Sequence, residues 1–168
     1  MKALVYLGPN SLTYRDEAEP VPEPGEVLVR VEAVGICGSD MHAYHGHDSR
    51  RPPPLILGHE AAGRIVGGSR DGARVTINPL VIDPSCVYAR DGRGHLSPTR
   101  QIISMPPRPG AFAEYLRIPD GNALDIPDSL PIEHAALAEP IAVAWHAVRI
   151  GAERLFRPLA ASRTVVLG

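Results

Sequence analysis

A chain of 168 residues, 44% hydrophobic and 21% charged, can bury one compact core and is too short for two ordinary domains. A net charge of −2 gives no reason to expect nucleic acid or an anionic membrane as partner, no apolar run is long enough to span a bilayer, and the Met1-Lys2 start lacks the apolar stretch of a signal peptide. Two cysteines, Cys37 and Cys86, exclude a disulfide framework, while 18 prolines and 16 glycines point to many turns and short strands.

Strands are predicted over Lys2–Leu7 and Val27–Val34, the second with Val27, Val29, Val31 and Ala33 alternating onto one face. The connection Pro20–Glu26 is proline-rich and ends in a Pro-Gly turn, and Cys37 follows directly on the second strand. Gly38–Ala43 reads as a short helical turn and Gly46–Pro54 as a polar surface loop. His59-Glu60 arrives on a further strand or turn, and Arg64–Val66 with Arg74–Ile77 reads as a hairpin. Asp83–Pro109 is irregular, and strand character returns over Ala111–Ile118. Ile132–Leu137 is predicted helical. Pro140 fits the first position of a second helix, Ile141–Ile150, stopped by Gly151, with Trp145 and His146 packing it in place. Thr164–Gly168 reads as a last strand.

Cys37, His59, Glu60 and Glu139 combine into one candidate metal site. A thiolate, an imidazole and carboxylates with one position left open are the ligand chemistry of catalytic zinc, whereas a structural zinc is closed by four ligands, usually rich in cysteine. About twenty residues separate Cys37 from His59, so tertiary structure must join them. Taken singly, Cys37 is a small buried residue, Glu139-Pro140 a helix start, Ser39 a helix N-cap and Asp40 an Asx turn. His42, His45 and His47 read as loop or cleft residues, with a second metal site as the alternative. Arg90, Arg93, Arg100 and Arg108 read as a solvated basic segment, a phosphate contact being the alternative.

The ordered motifs Gly35-Ile36-Cys37-Gly38-Ser39-Asp40-Met41-His42, Gly58-His59-Glu60-Ala61-Ala62-Gly63, Gly110-Ala111-Phe112-Ala113-Glu114-Tyr115 and Glu139-Pro140 closely resemble those of the zinc-dependent medium-chain alcohol and polyol dehydrogenases, of sorbitol dehydrogenase type. The resemblance implies a mainly β, GroES-like, partly open barrel with a few short helices. It assigns residues 1–150 to the zinc-binding catalytic domain, and 151–168 to a connection and the first strand of a dinucleotide-binding domain whose remainder, with its G-x-G-x-x-G motif, the chain lacks. Cys37 and His59 are then constant zinc ligands, Glu60 the third, and Glu139 a ligand directly or through water. Ser39 resembles the family's hydroxyl relay, which carries the proton of the zinc-bound alcohol toward solvent, and His42 extends that relay or lines the cofactor edge. Asp40 resembles the carboxylate that fixes the tautomer of His59.

The implied activity is oxidation of a polyol or secondary alcohol to a ketone, with hydride passing to NAD or NADP. The resemblance also implies a small-molecule substrate and a homo-oligomeric full-length enzyme, and the reducing cytoplasm suits a thiolate ligand. The chain alone is expected to be inactive. Many relatives carry a second zinc on four cysteines; aligned on Asn78-Pro79-Leu80, those positions are Asp83, Cys86, Ala89 and Ser97, so no structural zinc is expected. Two rivals stand beside this reading: a threonine dehydrogenase-like enzyme, and a non-catalytic GroES-like binding or scaffold module in which Cys37 and His59 point apart.

Overall fold

The computed structural model describes residues 1–166 and is dominated by short strands. In chain order its elements are β1 (Lys2–Gly8), β2 (Ser11–Asp16), β3 (Glu26–Gly35), α1 (Gly38–Tyr44), β4 (Leu55–Ile56), β5 (Glu60–Val66), β6 (Arg74–Ile77), β7 (Leu80–Val81), α2 (Val87–Arg90), β8 (Gln101–Ile102), β9 (Tyr115–Pro119), β10 (Ala123–Asp125), α3 (Ile132–Ala135) and α4 (Ala138–Ala152). Among the described residues, β10-β6-β5-β3-β9 make one sheet, β2-β1-β4 a second, and β7-β8 a small third. Residues 112–114 stitch the first two together. Leu4 donates to the Phe112 carbonyl at 2.8 Å, Glu114 to that of Lys2 at 3.0 Å, and Val31 to that of Glu114 at 2.9 Å. The result is the partly open barrel that the motifs imply.

The strand β2 has no counterpart among the sequence expectations. All six of its residues are exposed, so no apolar alternation marks it. Its turn is nonetheless legible in Gly8-Pro9-Asn10, where Asn10 takes a left-handed φ of 60°. Along β3 the expected alternation holds for Val27, Val29 and Val31, which pack into the main core with Ile65, Val75 and Ile118. It then breaks. The register with β5 steps from Val31↔Gly63 to Ala33↔Ala62, leaving Glu32 as an inserted residue. This bulge shifts the strand by one residue, so Val34 joins the main core and Ala33 turns toward α3.

The main core seals the five-stranded sheet, each fully buried Val or Ile contributing about 1.5–3 kcal/mol. A satellite cluster of Tyr6, Ala43, Leu55 and Leu57 seats α1 against the smaller sheet. Another, of Ala62, Ile132, Ala135 and Ala136, seats α3 against β5, and the Thr76 hydroxyl ties α3 to β6 by donating to the Ala135 carbonyl at 2.9 Å.

Three expectations about the C-terminal third are corrected. The second helix begins at Ala138, placing Pro140 third in its first turn, where a missing N–H costs no helical bond. It runs through Gly151 to Ala152. Packing does not hold Trp145 or His146: no residue of α4 is buried, and Trp145 is 70% exposed. Residues 164–166 form no strand, and Leu167 and Gly168, the end of the expected strand, lie outside the described residues. The basic segment is corrected at one position, since Arg108 is half-buried and pairs with Glu26 at 2.9 Å, while Arg90, Arg93 and Arg100 are exposed. No helix among the described residues is long and apolar enough to cross a membrane.

Candidate metal centre

The β3–β5 ladder shortens the sequence gap between the candidate ligands. Its last register pair is Gly35↔Glu60, so Cys37, two residues beyond β3, meets His59 and Glu60 where β5 begins. Ligand atoms of Cys37, His59 and Glu60 all lie within 4.8 Å of one another, with His59 and Glu60 buried and Cys37 half-buried. Gly35 gives the Glu60 carboxylate its place: a Cβ there runs into Glu60 Oε2. No sequence signal singled out Gly35 for this role, because the clash exists only in the folded register.

Asp40 lies beneath the cluster, 2% exposed. Its carboxylate accepts the Cys37 N–H at Oδ2, 3.0 Å, and the Gly58 N–H at Oδ1, 3.1 Å. One side chain thereby anchors the start of α1 and the turn before β5 to each other. Gly58 has φ of +90° and a Cβ there would run into the Phe112 ring, so both its conformation and its surroundings demand glycine. His59 Nδ1 faces Asp40 Oδ1 at 3.5 Å, an ion-pair distance, and Nδ1 has no hydrogen-bond partner among the described residues. Burial opposes charge on His59, yet Asp40 and then Cys37 outweigh it and raise its pKa to about 9. Burial likewise favours a neutral Asp40, but His59 and the two backbone donors hold its carboxyl below the usual range.

Glu139 is the second residue of α4, half-buried, and stands beside this triad without being one of its converged donors. Burial pushes its pKa up. His59 opposes the shift, while Glu60 and Asp40 add to it, so Glu139 shares the field of the cluster. Ser39 is half-buried on the first turn of α1 and its hydroxyl has no hydrogen-bond partner among the described residues. His42 is exposed further along α1, 6.4 Å from the His47 ring and outside the donor cluster. His45 is fixed to Asn10, its Nδ1 3.0 Å from that amide oxygen. The donor set fits zinc: soft thiolate, imidazole and carboxylate within one coordination sphere's reach, a buried ring nitrogen turned to a carboxylate, and a glycine that clears the space.

Of the four positions of the absent cysteine quartet, Cys86 and Ser97 meet through their side chains. Cys86 caps α2, its thiol donates to the Ser97 hydroxyl at 3.4 Å, and its N–H donates to the Asp83 carbonyl at 3.1 Å. Ser97 is fully buried and also within 3.1 Å of the Thr99 hydroxyl. Sequence reasoning missed Arg51, a 3% exposed arginine in the loop after α1, which pairs with Asp48 and donates to the Ser104 carbonyl at 3.0 Å.

Comparison with known proteins adds three findings. The family model for the alcohol dehydrogenase GroES-like domain matches residues 23–128. Sorbitol dehydrogenase of Bacillus subtilis (strain 168) is 43% identical over 149 residues, covering 82% of this chain and 42% of that protein. Among solved structures, the short chain alcohol dehydrogenase RspB of Escherichia coli CFT073, complexed with NADH, superposes with a TM-score of 0.81 at 34% identity, covering 90% of this chain and 45% of that one. Galactitol-1-phosphate dehydrogenase of Escherichia coli does so at 0.82 and 28%, covering 90% and 45%. The chain spans less than half the length of each of these relatives.

Proposed function

The chain belongs to the alcohol dehydrogenase GroES-like domain family, and on that premise we propose that it is the catalytic domain of a zinc-dependent, NAD(P)-linked dehydrogenase oxidising a polyol or other secondary alcohol to a ketone. One observation carries the reading: donor atoms of Cys37, His59 and Glu60 converge within 4.8 Å although the chain separates them. The scaffold alternative requires Cys37 and His59 to point apart, and their convergence argues against it.

In this proposal Cys37, His59 and Glu60 hold the metal, and Glu139 approaches as a fourth group, directly or through water. When bound, zinc supplies Lewis acidity that makes the substrate's hydroxyl proton easier to remove. Nδ1 of His59 faces Asp40, so Nε2 would be the nitrogen free to hold the metal and the carboxylate would make the imidazole a better donor. Ser39 accepts the substrate proton and passes it outward, and the exposed His42 hands it to water. A nicotinamide cofactor, when bound, would take the hydride with its electron pair from the carbon that bears that hydroxyl. Residues 1–150 are assigned to the catalytic domain and 151–168 to the connection toward a dinucleotide-binding domain that holds the hydride acceptor. By itself, the catalytic domain then binds metal without turnover. One catalytic zinc and no structural zinc is the stoichiometry proposed, supported by the Cys86 thiol's bond to Ser97 and by Ala89, which has no donor atom. A homo-oligomeric enzyme in the reducing cytoplasm completes the proposal, the thiolate ligand favouring that compartment.

Metal analysis of the purified chain tests the reading. Wild type is expected to carry one zinc and Cys37→Ser to lose it. Zinc retained in full by Cys37→Ser would sink the site as drawn.

A further inference from the structure

The far end of α1 carries a second group of metal-binding side chains, none of them shared with the cluster. His42, His45 and His47 lie within six residues, and all three are exposed. The way the helix ends decides where their rings go. Gly46 donates to the Ala43 carbonyl and His47 to the His42 carbonyl, each at 2.8 Å, with Gly46 at a φ of +79°. These two bonds make a Schellman ending, in which the residue after the glycine folds back over the residue five positions before it. A hydrophobic pair commonly fills those two places. Here both are histidine, with ring centroids 6.4 Å apart. The turn is fixed from behind, since a Cβ on Gly46 would run into the Pro9 ring. His45 completes the group: it is three residues from His42, hence its neighbour on the helix surface, and its ring lies 6.1 Å from that of His47.

One of the three imidazoles is already oriented. Asn10 Oδ1 lies 3.0 Å from His45 Nδ1, and an amide oxygen only accepts, so in the neutral ring Nδ1 carries the proton and Nε2 keeps its lone pair free. Metal-binding histidines are set in this way by a partner on the other ring nitrogen. Asn10 is itself held, its N–H donating to the Tyr44 carbonyl at 2.7 Å and its carbonyl accepting the Tyr44 hydroxyl at 3.3 Å. Two imidazoles on one tetrahedral ion, each nitrogen about 2 Å from it, stand with centroids about 5.3 Å apart. The observed separations exceed that by about 1 Å, and the nitrogens have not converged as the donors of Cys37, His59 and Glu60 have. Exposed rings on a fixed backbone close such a gap by rotating about their side-chain bonds. Asp48, the one carboxylate of the following loop, is spent on Arg50 and Arg51. The set is therefore imidazole alone, which suits zinc, copper or nickel and not magnesium or calcium.

We propose that His42, His45 and His47 form a second metal site, an exchangeable one, for zinc or another imidazole-seeking divalent cation. Being exposed, the site gives up its ion when free metal is removed, so the zinc kept through purification belongs to the cluster. An ion on His42 takes the lone pair that would receive the proton from Ser39, which makes the site inhibitory. That consequence rests on the relay proposed above; the binding does not.

Titration with zinc, followed by proton–carbon NMR of the histidine rings, tests the binding on a chain that already carries its first equivalent. The His42, His45 and His47 signals are expected to move together and to saturate at one further ion per chain, while magnesium moves none of them. Removing the partner that orients a ligand weakens a metal site about 10- to 100-fold. Asn10→Gly keeps the left-handed backbone of residue 10 and frees the His45 ring, so it should raise the half-saturating zinc concentration at least about tenfold. His45→Gln and His47→Gln should each raise it at least as much. Shifts confined to one or two of the rings, an equal response to magnesium, or undiminished affinity in any of the three variants overturns the proposal. The cluster fails or stands separately. Cys37→Ser removes one of its donors and none of this site's, so the same three rings should still respond to zinc in that variant, and their silence there overturns the second site.

Discussion

Replacing Asp40 by asparagine keeps the side chain's size and removes its charge. The carboxylate serves two backbone donors on different oxygens, Cys37 N–H at 3.0 Å and Gly58 N–H at 3.1 Å, in a position 2% exposed. An amide has only one oxygen. Whichever way it turns, one N–H faces an NH₂ group, and a buried orphaned donor costs about 1–3 kcal/mol. A second loss depends on pH. In the metal-free chain the pKa of His59 is raised from 6.5 to about 9, which corresponds to roughly 3 kcal/mol of favourable interaction net of burial, supplied mainly by Asp40 with Cys37 adding to it. Because the folded pKa is the higher one, this stabilisation is fully present below pH 6.5 and disappears as pH rises through about 9. Urea denaturation of metal-free protein should therefore find Asp40→Asn less stable by about 4–5 kcal/mol at pH 6, narrowing to about 2 kcal/mol at pH 10. A difference under about 1 kcal/mol at pH 6, or one that does not change with pH, refutes the account of Asp40 as the anchor of this centre.

Gly35→Ala drives a methyl group into the Glu60 carboxylate and should weaken zinc binding at least about tenfold while costing the fold about 1–3 kcal/mol; competition with a chelating dye reads the first, and unchanged zinc affinity removes Glu60 from the ligand set. Arg51→Ala strands a half-buried Asp48, which keeps Arg50 as its other partner at 2.8 Å, so a loss of about 3 kcal/mol in thermal or urea unfolding is expected. A loss below about 1 kcal/mol shows that the exposed Arg50 suffices.

Much of the centre is legible as residue chemistry. Cys37, His59 and Glu60 stand in short motifs whose donor types suit a metal, and all three meet in space. The sequence reading of Glu139 as a member is harder to place, because it arrives on a helix whose start was misjudged by two to three residues: Pro140 tolerates the third position as well as the first. The packing assigned to Trp145 and His146 failed for a different reason. Helical spacing shows which side chains share a face, and says nothing of whether anything covers that face. Arg51 was invisible because a buried arginine and a surface arginine look alike until Asp48 and the Ser104 carbonyl close around one of them.

What the sequence determined alone is local: alternation that makes β3 a strand, turn chemistry at its ends, and donor atoms suited to zinc. Even there a bulge at Glu32, which no alternation announces, decides which face Ala33 and Val34 take. Register, and everything that depends on it, belongs to tertiary structure. Pairing Gly35 with Glu60 brings a thiolate next to an imidazole about twenty residues away, lets a glycine clear room for a carboxylate, and buries Asp40 where its charge counts. Ladder hydrogen bonds are nearly identical from residue to residue, so the choice among registers is made by the summed burial of the sheet's two faces, a property no single segment contains.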